Sequence, residues 1–259
     1  MSLKLRYLGA LLALLTLMSG CGDSTPTRAK EVIKKETHSS ITSAAIAIPD
    51  NYGAQVAEDI LNSGGNAVDA AVATGFALAV TFIDAGNIGG GGFMAVKMDN
   101  DIAFLDYREK APLTAHKDMY LDEQGNVIDS ITLIGGQAAG VPGTVAGFWE
   151  AHKRFGKLPW EDVVQPAIDL AANGFIPAPI LVDSIHSMQQ RFDGKTNFND
   201  YFNHINSSKV FKQPELAKTL ARIAEFGADD FYRGKTATLI VEEMKRSNGL
   251  ISAEDLDQY

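Results

Sequence analysis

Arg108, in the stretch LDYREKAP (residues 105–112), is the side chain whose type and place are most suggestive of chemistry. A guanidinium at the end of a strand, beside a glycine-lined opening, can hold a carboxylate through two parallel hydrogen bonds. The compact ammonium of lysine cannot imitate that fork. The competing reading of the same residue is a solvated arginine paired with Asp106 or Glu109. Composition alone favours this blander reading, because most arginines are placed that way.

A second candidate is AGNIGGGGFM (residues 85–94), with four consecutive glycines, Gly89 to Gly92. A phosphate cradle needs glycines that turn from a strand into a helix N-terminus, so that free N–H groups and the helix dipole face the anion. Here an apolar helical stretch leads in and a strand-like stretch leads out, and no Lys-Ser or Lys-Thr pair follows. The spacing also fails the dinucleotide fingerprint. Close packing, in which missing β-carbons let one chain cross another or line a narrow site, accounts for the glycines better.

Other catalytic arrangements are absent from the sequence pattern. His38, His116, His152, His186 and His204 are scattered without metal-ligand spacing and read mostly as surface residues. There is no G-x-S-x-G elbow. Carboxylates are abundant, but spacing singles out no acid–base pair. In VPGTVAG (residues 141–147), Pro142 and Gly143 read as a bend that enters a helix.

The elements that must position Arg108 follow from periodicity. SAAIAI (43–48) reads as a buried strand closed by a turn at Pro49-Asp50-Asn51. A helix follows, with Val56, Ala57, Ile60 and Leu61 at helical spacing and Gly64-Gly65 as its stop. Asn66 caps a second helix, and Asp69 adds a negative charge to its first turn. AVDAAVATGFALAVTF is apolar on nearly every side and predicts a buried helix. FMAVKM and IAFLDYRE, joined by Asp-Asn-Asp, predict a β-hairpin that would add two antiparallel strands to the first.

Helices are predicted at 144–155, 161–173 with Pro166 inside, 179–190, 214–226 and 235–247. A last one starts at Ser252, where Ser252 and Asp255 are spaced as a capping box. The weakly periodic stretch RFDGKTNFNDYFNHINSSKVF reads as a surface excursion. The pattern breaks off at Tyr259 inside a helix just begun, as though unfinished. There is no internal repeat.

At 259 residues and 46% hydrophobic, the chain can bury a real core. Its net charge of −9, with no basic cluster, offers no footprint for nucleic acid. Lys4 and Arg6 precede the apolar run 8–18, which is shorter than the about 20 residues of a membrane span and reads as a secretory signal over 1–20. LMSGC, with the only cysteine, Cys21, at its end, resembles the bacterial lipobox, in which the peptide is cut just before a cysteine whose thiol is acylated. The alternative is an ordinary cleaved signal leaving a free thiol, but acylation also explains the lack of a disulfide partner. Residues 21–43 are polar and read as a tether, with the folded part at 44–259. From residues alone this is an exported α/β domain with one suggestive arginine.

Several long stretches, in order, carry a resemblance: GGNAVDAAVA, AGNIGGGGFM, LDYREKAP, GVPGTVAGFWEAHKRFGKLPWEDVVQPAIDLAANGF and FYRGKTATLIVEEMKRSNGLISAEDLDQY. From about Ala44 onward the sequence resembles the N-terminal, large-subunit part of the γ-glutamyltranspeptidases (glutathione hydrolase proenzymes). The resemblance implies an α/β (α+β) fold of the N-terminal nucleophile hydrolase type, an α/β/β/α sandwich of which this chain holds the large-subunit part only. It also implies a precursor that cuts itself. The threonine so exposed attacks the γ-glutamyl carbonyl with its own amino group as base.

In that family pattern Arg108 matches the arginine that grips the donor α-carboxylate, and Glu109 would help orient it. The nucleophile and the oxyanion hole would lie beyond Tyr259, so no catalytic residue is expected in this chain, and Thr144 is not the nucleophile. Phe82-Ile83-Asp84 departs from a His-Pro pair frequent among relatives. The implied substrates are glutathione and other γ-glutamyl donors, with amino acids, peptides or water as acceptors. The implied partner is a small subunit from the same precursor, and neither metal nor organic cofactor is implied. The expected location is the periplasmic face of the outer membrane, through a lipid on Cys21. The rival readings are a cephalosporin or glutaryl acylase of the same superfamily and a non-catalytic γ-glutamyl-binding lipoprotein.

Overall fold

The computed structural model describes residues 44–259; the export signal, Cys21 and the tether expected at 1–43 lie outside the described residues. Helix α1 (Asn51–Asn62) begins where the Asp50 carboxylate accepts the Gly53 amide at 2.6 Å, and it buries Val56, Ala57 and Ile60. It ends at Gly64, whose φ of +90° is the left-handed conformation that favours glycine.

Helix α2 (Ala67–Thr81) is the hub of the fold, packed against α1 and against the later α3 (Thr144–Phe155) and α4 (Trp160–Asn173). Val72, Ala73, Phe76, Ala77 and Val80 are wholly inaccessible, as its all-round apolar sequence predicts. Phe76 meets the rings of Phe148 and Trp160 edge-on, at 5.1 and 5.6 Å. The Trp160 indole N–H donates to the Ile223 carbonyl at 2.8 Å, tying α4 to α7 (Pro214–Phe226).

Asp69 does more than charge the first turn of α2. It completes a capping box with Asn66, and its buried carboxylate also accepts the Lys157 amide at 3.0 and 3.1 Å and the Leu158 amide at 3.3 Å. The start of α2 is thereby fastened to the α3–α4 turn 88 residues away. Such long-range use of a cap cannot be read from local spacing.

Strands β1 (Phe93–Met98) and β2 (Asp101–Asp106) form the expected hairpin, in the register Phe93↔Asp106 to Met98↔Asp101. Asp99 takes the turn with φ +50°. The second strand is shorter than the 102–109 expected. One face buries Val96 and Leu105; the other leaves Phe93, Ile102 and Phe104 exposed.

The remaining helices are α5 (Pro179–Phe192), α6 (Phe198–Phe202), α8 (Ala228–Arg233), α9 (Lys235–Arg246) and α10 (Ala253–Asp257), with a 3₁₀ turn at Gly136–Ala138. The box of Ser252 and Asp255 starts α10 as its spacing predicts, and the second oxygen of Asp255 accepts the Leu113 amide at 2.6 Å.

Two expectations are corrected. Residues 44–48 are irregular and mostly exposed, not a buried strand, so the only sheet among the described residues is the two-stranded hairpin. Their apolar character is right for a strand, but no neighbouring strand among the described residues offers them a ladder. The excursion at 191–211 is less loose than its pattern suggests. Phe198 and Phe202 lie 4.7 Å apart, Phe202 and Phe211 lie 5.9 Å apart, and Ile205 and Phe211 are buried. These aromatics cluster in space across a short helix and turns, so no 3.6-residue period reveals them.

Candidate active site

Arg108 lies two residues past the end of β2, where hairpin pairing continues beyond the strand ends. Tyr107 exchanges both backbone hydrogen bonds with Gly92, at 3.0 and 3.2 Å. Three residues on, Lys110 exchanges both with Val141, at 2.8 and 3.1 Å. The arginine's peptide unit is thus held between the glycine arm and the segment entering α3.

Gly91 makes this approach possible. A β-carbon there would lie 2.5 Å from the Tyr107 carbonyl oxygen, 2.8 Å from the Glu109 nitrogen and 2.9 Å from the Arg108 carbonyl carbon. The Gly90 carbonyl accepts the amides of Gly143 and Thr144, at 2.7 and 3.0 Å. Those are the first amides of α3, the donors an anion would need. The glycine run is therefore a packing joint, with the adjacent helix start already occupied.

A third support comes from Tyr259. Its hydroxyl donates to the Arg108 carbonyl at 2.8 Å, its ring stacks on Tyr232 at 5.5 Å, and the Lys110 ammonium sits 4.5 Å from its centroid. Burial, then the negative charges of Asp106 and Glu109, raise the Tyr259 phenol above its ordinary 10.0, so it donates as a neutral group at neutral pH. Tyr232 in turn donates to the Pro142 carbonyl at 2.8 Å and accepts the Ala146 amide at 3.2 Å. Burial raises its pKa against the opposing Ala146 bond.

The guanidinium projects from this scaffold with 63% of its side chain exposed. Its Nε donates to Glu109 Oε2 at 3.2 Å, and its Cζ lies 5.6 Å from the centre of the Phe93 ring. Asp106 accepts the Arg108 backbone amide at 3.0 Å. Of the two partners of the blander reading, Glu109 pairs with the guanidinium and Asp106 only with the backbone amide, and Nη1 and Nη2 make no hydrogen bond among the described residues. The end of the fork that binds a carboxylate bidentately is open.

Reasoning from sequence singles out Arg108 and Glu109, which are neighbours in the chain, and reads the glycine run as close packing, which the contacts of Gly91 bear out; it misses Phe93 and Tyr259 as supports. Phe93 had a signal: with the hairpin register known, alternation puts Phe93, Asp106 and Arg108 on one face. Tyr259 had none, being 151 residues from its acceptor.

Thr144 is buried at the first turn of α3. His116, His186 and His204 are exposed; half-buried His152 sits 2.9 Å from the Leu158 carbonyl and 3.6 Å from Asp69, a structural contact. His38 lies outside the described residues. Among the described residues no group of three or more His, Cys, Asp or Glu could hold a metal, and no helix is long and apolar enough to cross a membrane. An apolar cleft of about 360 Å³ beside Gly89 and Gly140 is lined by neither Arg108 nor Glu109.

Residues 53–259 match the family model of gamma-glutamyltranspeptidase. The chain is 56% identical over 220 residues to a glutathione hydrolase proenzyme of Pseudomonas aeruginosa, an alignment covering 85% of this chain and 40% of that relative. Among solved structures, the gamma-glutamyltranspeptidase of Pseudomonas nitroreducens complexed with L-DON superposes with a TM-score of 0.83 at 56% identity, covering 84% of this chain and 65% of that one. The Helicobacter pylori gamma-glutamyltranspeptidase gives 0.80 at 42% identity, covering 84% and 64%. The α/β architecture is therefore the large-subunit part of an N-terminal nucleophile hydrolase fold. From its matched sequence and its fold alike, the chain belongs to the gamma-glutamyltranspeptidase family.

Proposed function

We propose that this chain supplies the donor-carboxylate site of an enzyme that hydrolyses glutathione and transfers γ-glutamyl groups from glutathione and related donors. Water, amino acids or peptides accept the group from a γ-glutamyl-enzyme intermediate. The observation that carries this reading is the open Nη1/Nη2 end of Arg108, on a backbone held by Gly92, Tyr259 and the 110–141 bridge.

The α-carboxylate of a γ-glutamyl donor would take both terminal nitrogens of that fork, a charge-assisted pair roughly twice as strong as a neutral hydrogen bond. Glu109, on Nε, fixes the plane in which the fork presents itself. With the α end anchored, the γ-amide is carried to a fixed distance along three carbons, the positional restraint that raises effective concentration at a nucleophile. The nucleophile itself, a threonine, and the donors for the oxyanion belong to a small subunit cut from the same precursor. The exposed Phe93, Ile102 and Phe104 on the outer hairpin face support such a covering layer, since an apolar sheet face left bare is uncommon.

Export and acylation of Cys21, with residence at the periplasmic face of the outer membrane, complete the proposal and rest on the leader sequence. Labelled palmitate entering the wild type but not Cys21→Ser supports the anchor; equal labelling refutes it.

The substrate reading is tested on the matured large and small subunits with three p-nitroanilides. γ-Glutamyl-p-nitroanilide is the expected substrate. Glutaryl-p-nitroanilide lacks the α-amino group and 4-aminobutyryl-p-nitroanilide lacks the α-carboxylate, and both should turn over poorly. Preference for the glutaryl compound would make the protein an acylase, and binding of γ-glutamyl compounds without turnover would make it a binding protein.

A further inference from the structure

We propose that Phe93 is a positioning residue for Arg108, an aromatic plate that holds the guanidinium in its carboxylate-binding pose before donor arrives. The proposal rests on the reading that Arg108 takes the donor carboxylate, and adds the element that sets the orientation of that side chain.

Burial within this chain does not account for Phe93. It is 51% exposed on the outer hairpin face, while the core-facing residues of the same hairpin are Val96 and Leu105. Its ring touches two things instead. Phe104 stacks on it at 5.5 Å with 26° between planes, fixing its attitude, and the Arg108 Cζ stands 5.6 Å from its centroid, within the about 6 Å over which a cation is attracted to a π face. The Phe93 backbone is itself pinned, since the Tyr107 hydroxyl donates to its carbonyl at 3.3 Å.

The guanidinium therefore has one side edge on the Glu109 carboxylate and its charge near a phenyl ring, with Nη1 and Nη2 left over. An arginine so exposed would otherwise sample many rotamers, each of which a donor would have to suppress on binding. Restricting it beforehand lowers that loss, so the effect should fall on donor binding and not on the chemical step.

The test uses the matured two-subunit protein. Phe93→Leu should raise KM for γ-glutamyl-p-nitroanilide roughly 2- to 30-fold, the range of a cation–π contact, with kcat within about twofold of wild type. Phe93→Trp, which offers a better π face, should restore KM. Should Phe93→Leu fail to fold, pentafluorophenylalanine at position 93 keeps the shape, reverses the ring quadrupole and should raise KM alone. In an Arg108→Lys background either change should add less than its effect on wild type. Unchanged KM, losses equal for Leu and Trp, or effects fully additive with Arg108→Lys would overturn the role of Phe93 while leaving Arg108 as the clamp. Absence of γ-glutamyl turnover in the wild type would instead bring down the substrate reading beneath it.

Discussion

Replacing Gly91 with alanine changes the site without touching any group that meets substrate. The added β-carbon would stand 2.5 Å from the Tyr107 oxygen, 2.8 Å from the Glu109 nitrogen and 2.9 Å from the Arg108 carbonyl carbon, where ordinary contact begins near 3.4 Å. The overlaps are therefore 0.9, 0.6 and 0.5 Å, all with backbone, so no flexible side chain can swing away to relieve them. Relief requires the 107–109 segment to move by about half an ångström or more, against the Lys110–Val141 bridge and the Tyr259 hydrogen bond that hold it. Overpacking of this kind destabilises by about 1–3 kcal/mol. A clamp displaced by about 1 Å can lose roughly a hundredfold in rate, so kcat/KM for γ-glutamyl-p-nitroanilide should fall between ten- and a hundredfold. The assay pairs that kinetic measurement with the thermal midpoint. A Gly91→Ala protein with wild-type kcat/KM would show that the glycine run does not set the position of Arg108.

Asp69→Ala leaves the amides of Asn66, Lys157 and Leu158 without their acceptor in a fully buried site, and should cost about 3 kcal/mol in urea unfolding, with Asp69→Asn losing less because one acceptor oxygen survives; equal stability of Asp69→Ala and wild type would refute the long-range role. Burial works to raise the Asp255 carboxyl, but bonds from the Ser252 hydroxyl and from the Leu113 and Ser252 amides outweigh it and hold the pKa below the ordinary 3.8. The group therefore stabilises the fold fully above about pH 3.8 and loses that contribution as pH falls through its lower folded value. The gap in urea midpoint between wild type and Asp255→Asn should accordingly be larger at pH 6 than at pH 3, and a gap independent of pH would contradict the assignment.

The local elements were legible because their signals are local. Asn66, Gly64, Pro214 and the Ser252–Asp255 pair announce where helices begin or end, and the Asp-Asn-Asp turn announces the hairpin. The all-apolar α2 sequence declared its burial. What could not be read were decisions made by distant partners. Residues 43–48 have strand composition, but whether they become one depends on a neighbouring strand. Phe198, Phe202 and Phe211 look scattered until the chain folds back on itself. At the site, Arg108 stood out by type and place, and the family resemblance supplied its expected role. Of its supports, the glycine run was legible as a close-packing joint, whereas Tyr259 was not, because it reaches Arg108 across 151 residues.

The claim at the centre of this account is that the fork of Arg108 binds the α-carboxylate of a γ-glutamyl donor, and Arg108→Lys in the matured two-subunit protein tests it most directly. Losing a bidentate charge-assisted contact is worth about 2–4 kcal/mol, so kcat/KM for γ-glutamyl-p-nitroanilide should drop roughly 30- to 900-fold. The residual rate on 4-aminobutyryl-p-nitroanilide, which has no α-carboxylate to lose, should stay within about twofold of wild type. An equal loss on both donors, or none on either, would contradict it.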